Sequence, residues 1–337
     1  MRVKYEDLKD TIKKALIANG VEENPAEEMA KIHSNSSLRG VNSHGLNRIP
    51  RLIEFINKGL INMNGDLELK NSFGSIENYD ANLGFGSLNS VKAANRVVEL
   101  AEKNGIGLVS LKNSTHWMRA GTYGEIIAER GMIGILWTNT ESLMPLWGSS
   151  EKSVGNNPVC IAIPSDTGDI ILDMAMSQYS YGKLDTYMKK GELLPYPGGF
   201  DKDGNLTSNP KDILDSSRLI PVGYWKGSGL SFCLDVVASL LSTGKSTFDL
   251  DDDNAFNCTG CSQIFLAINP GIFSTEEENN ELLNKIKDRL HSVYSIDPKS
   301  KVRYPGEGLD QRQKSNLEKG IEVDDDYYNK VKSYINE

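Results

Sequence analysis

Hydrophobic residues recur at three- and four-residue intervals near the start of the chain, which predicts amphipathic helices. Residues 5–19 show this spacing and are followed by Gly20, which suits the left-handed cap of a helix. A second helix is predicted to begin near Asn24, and a third to cover residues 46–58. The short polar segment GVNSHG, residues 40–45, joins these two helices.

From about residue 74 the pattern changes to short β-branched runs that alternate with helical stretches. Runs of this kind are SIENYD, GIGLVSLKN, MIGILWTN, VCIAIP, DIILDMAM and SQIFLAIN. The alternation indicates an α/β domain. A long helix is predicted over Leu230–Leu241, whereas residues 184–224 are rich in Pro, Gly and Asp and are predicted to be loop.

The stretches after residue 275 return to the charged, amphipathic pattern of the first helices. We therefore expect the two ends of the chain to pack together. On this interpretation residues 1–73 and 275–337 form a helical domain, and residues 74–274 form an α/β domain between them.

The charge balance excludes several functional classes. The 337 residues include 37 basic and 46 acidic side chains, a formal charge of −9. A net negative chain has no general attraction to nucleic acid or to an anionic membrane. The N-terminal sequence lacks the apolar core of a signal peptide, and no run approaches about 18 apolar residues. We expect a cytoplasmic protein with neither nucleic-acid nor membrane partners.

Four cysteines are present. Cys160 and Cys233 lie in apolar runs, where a thiol is expected to be a small buried hydrophobic group. Cys258 and Cys261 form a C-x-x-C pair, but no second pair and no nearby pair of histidines accompanies it. Since a structural zinc site normally needs four ligands, we expect no metal site.

Standard catalytic and nucleotide-binding motifs are missing. The segments GFGSLN, residues 84–89, and GIGLVS, residues 105–110, lack the third glycine of the G-x-G-x-x-G fingerprint. The G-x-S-x-G and H-E-x-x-H patterns are also absent from the sequence. A dinucleotide can still bind, but not through the usual Rossmann turn.

Only four histidines are present, and an imidazole is the commonest proton donor in enzymes. His33 and His291 lie on predicted helices and are expected at the surface or in packing. His44 lies in the glycine-flanked segment NSHG, and His116 lies in a polar loop after a predicted strand. These two loop histidines are the candidates for catalysis.

Arg48 follows His44 by four residues, so both side chains could address one small site. A guanidinium can hold a carboxylate through two parallel hydrogen bonds while the imidazole reaches the neighbouring carbonyl. A 2-keto acid reductase requires this arrangement. The alternative is that Arg48 and Arg51 form the solvated face of an amphipathic helix.

The segment SHGLNR, residues 43–48, is similar to the SHGxxR signature of the malate/L-lactate/sulfolactate dehydrogenase family. The similarity extends over nearly the whole chain and includes GIGLVSLKNSTHWMRAGTYG, WTNTESLMPLWG, NPVCIAIPS, DMAMSQYSYGKL, LPYPGGFDKDGNLT and GYWKGSGLSFCLDVVASLLSTG. The resemblance implies an L-sulfolactate dehydrogenase-like, non-Rossmann NAD-binding α/β domain with a mixed sheet, beside a helical domain built from both ends.

The resemblance also implies an activity, the NADH-dependent reduction of a 2-keto acid in carbohydrate catabolism by a cytoplasmic homodimer. His44 would be the proton donor, and we hypothesise that it acts as an imidazolium while Arg48 holds the substrate carboxylate. His116 could instead be the acid, or could line the substrate pocket.

Three cofactor-binding segments are implied by the same resemblance. They consist of Asp169, Ile170, Ile171, Leu172, Asp173, Met174 and Ala175, then Trp225 and Lys226, and then Gly306, Glu307 and Gly308. Glu307 stands where the resemblance leads us to expect a histidine. An acidic side chain at Glu307 or Asp169 would repel a 2′-phosphate, which favours NADH over NADPH.

Two alternatives remain open from the sequence. The chain could act on another substrate of the family, such as malate, lactate, ureidoglycolate, sulfolactate or a cyclic imine. It could also be a catalytically silent ligand-binding protein on the same fold, although such a protein should lack the SHGxxR pairing.

Overall fold

The computed structural model describes residues 1–253 and 258–335 of the chain. Its first elements match the predicted helices closely, with a short strand in front of them. They are β1 (Arg2–Val3), α1 (Tyr5–Ala18), α2 (Glu23–Leu38) and α3 (Ile49–Asn57). Each helix buries one apolar face, and Leu8, Ile12, Leu16 and Ile53 of these faces are fully buried.

The central region alternates strands and helices as the pattern predicted. The elements that follow α3, as far as residue 190, are β2 (Glu68–Phe73), β3 (Ile76–Asp80), α4 (Gly86–Asn104), β4 (Ile106–Ser114), α5 (Ala120–Ala128), β5 (Ile133–Thr138), β6 (Met144–Pro145), β7 (Lys152–Val154), β8 (Val159–Ile163), β9 (Ile170–Met174) and α6 (Tyr181–Lys190). The remaining elements are β10 (Gly199–Phe200), β11 (Leu206–Thr207), α7 (Pro210–Ser216), α8 (Trp225–Ser242), α9 (Thr247–Asp252), β12 (Cys261–Ile268), α10 (Glu276–His291), α11 (Leu309–Lys319), β13 (Ile321–Glu322) and α12 (Asp325–Ser333).

Seven strands form one mixed sheet in the order β2-β3-β4-β12-β5-β8-β9. Strands β3 and β4 are parallel, and the other neighbours are antiparallel. Val109 and Leu111 of β4 pack in the same buried cluster as α4 and α5. Ser110, on the opposite face because side chains alternate along a strand, donates to the carbonyl of Leu241 in α8. Helices therefore cover both faces of the sheet.

The predicted loop over residues 184–224 is wrong. This region contains α7, β10 and β11 and the larger part of α6. Leu184, Ile213 and Leu219 join Met176 in a small separate core. Proline and glycine mark the turns between short elements here, and apolar side chains from distant positions supply the core that stabilises them.

The two ends of the chain meet in an antiparallel pair of strands, in which Val3 lies opposite Ile321. Ile321 and Val331 are fully buried in the same cluster as the faces of α1 and α3. Helix α10 has different neighbours, because Lys287 donates to Ser165 Oγ at 2.6 Å and to the Gly168 carbonyl at 2.7 Å. The boundaries of the two predicted domains stay a prediction.

Helix α8 begins five residues before the predicted start, so Trp225 and Lys226 lie in its first turn. One side of this helix faces outwards although it is apolar, with exposed Leu230, Phe232, Val236, Val237, Leu240 and Leu241. Cys233 is exposed on the same helix, so its predicted burial is wrong. In the described part of the chain, no helix has both the length and the apolar composition needed to span a bilayer.

Candidate active site

The segment around His44 consists of two short turns of 3-10 helix, Asn42–His44 and Leu46–Arg48, before α3 begins. Gly45 separates them with φ −104° and ψ −125°, so His44 and Arg48 do not share one continuous helix. Both side chains nevertheless lie near one site, because Arg48 lines the same pocket as His116 and the His44 ring stacks on His116. The four-residue spacing thus predicted that His44 and Arg48 lie near each other, although they lie on two separate 3-10 turns and not on one helix.

The tertiary structure places His116 against His44. Their rings stack with centroids 5.7 Å apart and planes inclined by 23°. The backbone N–H of Met118 donates to His116 Nδ1 at 2.9 Å. Since a backbone N–H can only donate, this nitrogen accepts, and the neutral ring carries its proton on Nε2. His116 therefore presents a fixed hydrogen-bond donor.

Both histidines are neutral at neutral pH in the free protein. Burial, with the nearby Arg48 charge, lowers the pKa of His44 to about 4. The same two causes lower the pKa of His116 well below its ordinary value of 6.5. The low pKa favours the neutral His44 ring in the free protein, and the hypothesis that His44 acts as an imidazolium during the reaction stays a prediction.

Arg48 is half-buried at the edge of a small, mainly apolar pocket. Its other walls include Leu52, Phe55, Phe85, His116 and Met118. The enclosed space is about 10 Å³, room for about one water molecule, so a larger ligand must extend out of the pocket. None of the ion pairs among residues 1–253 and 258–335 involves Arg48. A half-buried cation that forms no ion pair with a described residue, beside apolar walls, favours an anionic ligand.

Two residues beside Arg48 were not predicted to belong to the site. The negative charge of Glu141 acts on the Arg48 guanidinium, and the backbone N–H of the neighbouring Cys258 donates to Glu141 Oε2 at 2.9 Å. The C-x-x-C pattern drew attention to Cys258 as a metal ligand. Among the residues that the structure describes, no three His, Cys, Asp or Glu side chains form a set that could hold a metal.

Arg119 connects the histidines to strand β9 and was also missed. It is buried, donates to Glu125 Oε1 at 3.0 Å, and lies 3.8 Å from Asp173 Oδ2. The backbone N–H of Gly121 donates to the same oxygen of Asp173 at 2.8 Å. Burial raises the pKa of the Asp173 carboxyl. The Asp173 side chain therefore fixes β9 against the loop that carries His116.

Two of the three predicted cofactor segments meet directly. Strand β9, Ile170–Met174, begins directly after Asp169 and is an edge strand of the sheet. The N–H of Ile171 donates to the Pro305 carbonyl at 3.0 Å. Gly306 has φ +85°, and a Cβ there would lie 2.8 Å from the Ile171 nitrogen. Only glycine allows this loop to lie so close to the strand.

The remaining predicted segment, Trp225 and Lys226, lies beyond the other end of β9, just after Ala175. The N–H of Val222 donates to the Met176 carbonyl at 2.7 Å, which brings the start of α8 to this place. Trp225 is 62% exposed there. Lys226 takes part in none of the ion pairs between described residues. Ile171 lies near the start of β9 and Met176 lies two residues after its end, so the two contacts lie towards opposite ends of the strand.

The acidic side chains of these segments have internal partners. Glu307 Oε1 lies 3.1 Å from His291 Nε2, and Glu307 Oε2 accepts the Tyr304 N–H at 3.1 Å. Gly308 follows as the left-handed residue in front of α11. Asp169 accepts the Ser165 N–H at 3.0 Å, and burial raises the pKa of its carboxyl.

Comparison with known proteins agrees with this architecture. Residues 3–332 match the family model described as malate/L-lactate dehydrogenase. The 2,3-diketo-L-gulonate reductase of Escherichia coli O127:H6 is 40% identical over 333 residues, which cover 99% of this chain and 100% of that protein. Among solved structures, sulfolactate dehydrogenase from Methanocaldococcus jannaschii is 29% identical with a TM-score of 0.88, covering 100% of this chain and 97% of that one. Malate dehydrogenase from Entamoeba histolytica is 25% identical with a TM-score of 0.93, covering 99% and 97%. These matches confirm the predicted family and fold.

The low pKa values of His33 and His44 can be measured by NMR. In protein with isotopically labelled histidine, NMR resonances of His33 and His44 are expected to titrate near pH 4, because burial and the Arg48 charge disfavour the imidazolium. The Arg48→Met variant, which lacks that charge, should titrate His44 at higher pH. A wild-type His44 that titrates near pH 6.5 would contradict the electrostatics described above.

Proposed function

We propose that this chain, which belongs to the malate/L-lactate dehydrogenase family, reduces the C2 carbonyl of 2,3-diketo-L-gulonate with NADH to give 3-dehydro-L-gulonate. The observation that carries the proposal is the half-buried Arg48, without an ion-pair partner among the described residues, beside two stacked histidines. The relative with 40% identity, named 2,3-diketo-L-gulonate reductase, supports the choice of substrate. The acidic composition and four free cysteines fit a cytoplasmic location.

Arg48 binds and orients the substrate. Its planar guanidinium donates two parallel hydrogen bonds to the oxygens of a carboxylate, which fixes the plane of the neighbouring C2 carbonyl. His116, with its proton held on Nε2, donates a hydrogen bond to an oxygen of the substrate and stays neutral. The remaining sugar chain extends out of the pocket, since the enclosed space is too small for it.

His44 supplies the proton. In the free protein burial and Arg48 keep it neutral, but a carboxylate paired with Arg48 cancels the nearby positive charge. The pKa of His44 then rises, and the ring takes up a proton as the anion binds. The protonated ring can donate that proton to the oxygen of the reduced carbonyl. A bound reduced nicotinamide supplies the hydride.

The residues around β9 fit a dinucleotide. An edge strand has backbone N–H and C=O groups that no neighbouring strand uses, and Gly306 and Gly308 leave the adjoining loop without bulky side chains. Lys226, at the start of α8, offers a cation for phosphate. Arg119 and Asp173 hold this strand beside the histidines, so a nicotinamide on β9 could face a carbonyl held by Arg48.

Replacing the two principal side chains should separate binding from proton transfer. We expect His44→Ala to lower kcat by roughly 10²–10⁴-fold, the usual contribution of a positioned acid. Arg48→Lys should mainly raise the substrate KM, because lysine cannot form the paired hydrogen bonds. The measurement is NADH oxidation across 2-keto acids that include 2,3-diketo-L-gulonate, oxaloacetate, pyruvate and sulfopyruvate.

Arg51→Lys is the matched control. Arg51 follows Arg48 by about one helical turn and is exposed, so this variant should keep the wild-type KM for the substrate. Wild-type activity in His44→Ala would exclude His44 as the proton donor, and His116→Asn would then be the variant to test. Faster turnover of another acid would change the substrate. A wild-type protein without turnover and without NADH binding would support the silent ligand-binding alternative.

The preference for NADH rests on Asp169. Glu307 is paired with His291, so its charge is the less available of the two. We expect a lower KM for NADH than for NADPH. Asp169→Asn should reduce that difference by about tenfold, because it removes the negative charge that repels the 2′-phosphate of NADPH. Glu307→Gln should change the ratio less. Equal use of the two cofactors by the wild type would refute the assignment.

The exposed apolar side of α8 supports the homodimer that the family resemblance implies. Leu240 is 71% exposed and Leu230 is 51% exposed on this side. Contiguous apolar surface of this kind marks an interaction site in proteins that do not enter membranes. Because the same helix begins with Trp225 and Lys226, a partner chain on α8 would lie next to the cofactor segments.

A charge on this surface should therefore separate the subunits. We expect the wild-type chain to sediment as a dimer and Leu240→Glu as a monomer in analytical ultracentrifugation. Leu317→Glu, which changes an exposed leucine on α11, is the control and should sediment like the wild type. A monomeric wild type would overturn the proposed dimer.

A further inference from the structure

A third histidine lies directly beneath the His44 segment. His33 is on α2, is fully buried, and its Nδ1 is 3.2 Å from the carbonyl oxygen of Gly45. A carbonyl oxygen can only accept, so His33 Nδ1 carries the proton and donates it. The sequence offered no reason to separate His33 from an ordinary packing residue.

Ser37 follows His33 by one helical turn and contacts the same peptide group from its other end. Its Oγ accepts the N–H of Leu46 at 3.0 Å. The Gly45 carbonyl and the Leu46 N–H belong to one peptide unit, the Gly45–Leu46 peptide, which is the second peptide unit after His44. Helix α2 therefore binds both polar groups of that peptide through two side chains.

The contact requires glycine at position 45. A Cβ there would lie 2.1 Å from Ser37 Oγ and 2.9 Å from the His33 carbonyl oxygen, so any larger residue would push the peptide away from α2. The close approach is what brings the peptide within reach of the two side chains.

Packing alone does not explain a histidine at position 33. Its Nε2 is buried without a hydrogen-bond partner among residues 1–253 and 258–335. An acceptor left in this state destabilises a fold, and leucine or methionine would fill the same space without the penalty. The polar ring is thus retained at a cost to stability, in the place where it holds the peptide next to His44.

We propose that His33 is a positioning residue which, together with Ser37, holds the Gly45–Leu46 peptide and thereby keeps the His44 imidazole stacked on His116 in its reactive place. The proposal rests on the proposed function for its effect on catalysis. Its structural part, the ordering of residues 42–48 by His33, does not depend on which substrate is used.

The test compares His33→Leu, which removes the donor, with His33→Asn, whose side-chain amide can donate from near the place of Nδ1. Ser34→Ala is the matched control, because Ser34 is the next buried residue of α2 and its Oγ contacts no described partner. The measurements are kcat, the KM for the substrate and the KM for NADH, each with the other reactant saturating, then hydrogen–deuterium exchange of residues 42–48 and the thermal midpoint.

We expect His33→Leu to lower kcat by roughly 10- to 100-fold, the effect of misplacing a catalytic group by about 1 Å, with the KM for NADH unchanged. Exchange in residues 42–48 should become faster, and the thermal midpoint should not fall. His33→Asn should restore most of kcat, and Ser34→Ala should behave as the wild type. A merely structural His33 would instead lower the midpoint and leave kcat per active site unchanged.

The proposal is overturned if His33→Leu and Ser34→Ala give the same kcat and exchange, or if His33→Asn is as impaired as His33→Leu. Should His33→Leu not fold, Ser37→Ala removes the acceptor on the other side of the same peptide and is expected to show the same faster exchange. If the wild type reduces none of the 2-keto acids, the proposed function fails, and the exchange of residues 42–48 still decides whether His33 holds the peptide.

Discussion

The close contact between Gly45 and helix α2 is the constraint on which the rest of the site depends. This contact lets His33 and Ser37 bind the Gly45–Leu46 peptide. It also ends the turn that carries His44 before the turn that carries Arg48 begins. The two side chains consequently reach one place from two separate turns. The segment after β4, which carries His116, then completes the site.

The charges of the site follow from the same enclosure. Burial, together with the positive charge of the half-buried Arg48, lowers the pKa of both neighbouring histidines and favours their neutral forms. In the proposed function, the substrate carboxylate offsets the Arg48 charge, and substrate binding is thereby coupled to protonation of His44. A net charge of −9 is compatible with an anionic substrate because the local field is set by Arg48.

The proposed cofactor site replaces a glycine-rich turn by the edge of a sheet. Glycines are used for a different purpose than in a Rossmann fold, since Gly306 allows the loop after Pro305 to lie on β9. One carboxylate oxygen of Asp173, Oδ2, accepts the Gly121 N–H and lies close to the Arg119 guanidinium. Its contribution is to fix the strand beside the histidines.

The sequence by itself determined the helices and strands with clear periodicity, the mixed α/β architecture through the family resemblance, and the identity of His44, Arg48 and His116 as candidates. Periodicity reports which face of an element is buried, and this property is local. It failed over residues 184–224, where short elements are stabilised by a core assembled from distant positions.

Only the tertiary structure decided how the candidates work. The proton position on His116 depends on the Met118 N–H, the charge of His44 on burial beside Arg48, and the role of His33 on a peptide in the next segment. Protonation and hydrogen bonding depend on which groups surround a side chain in space. No residue pattern along the chain contains that information, because most of these neighbours come from elements that folding alone brings together.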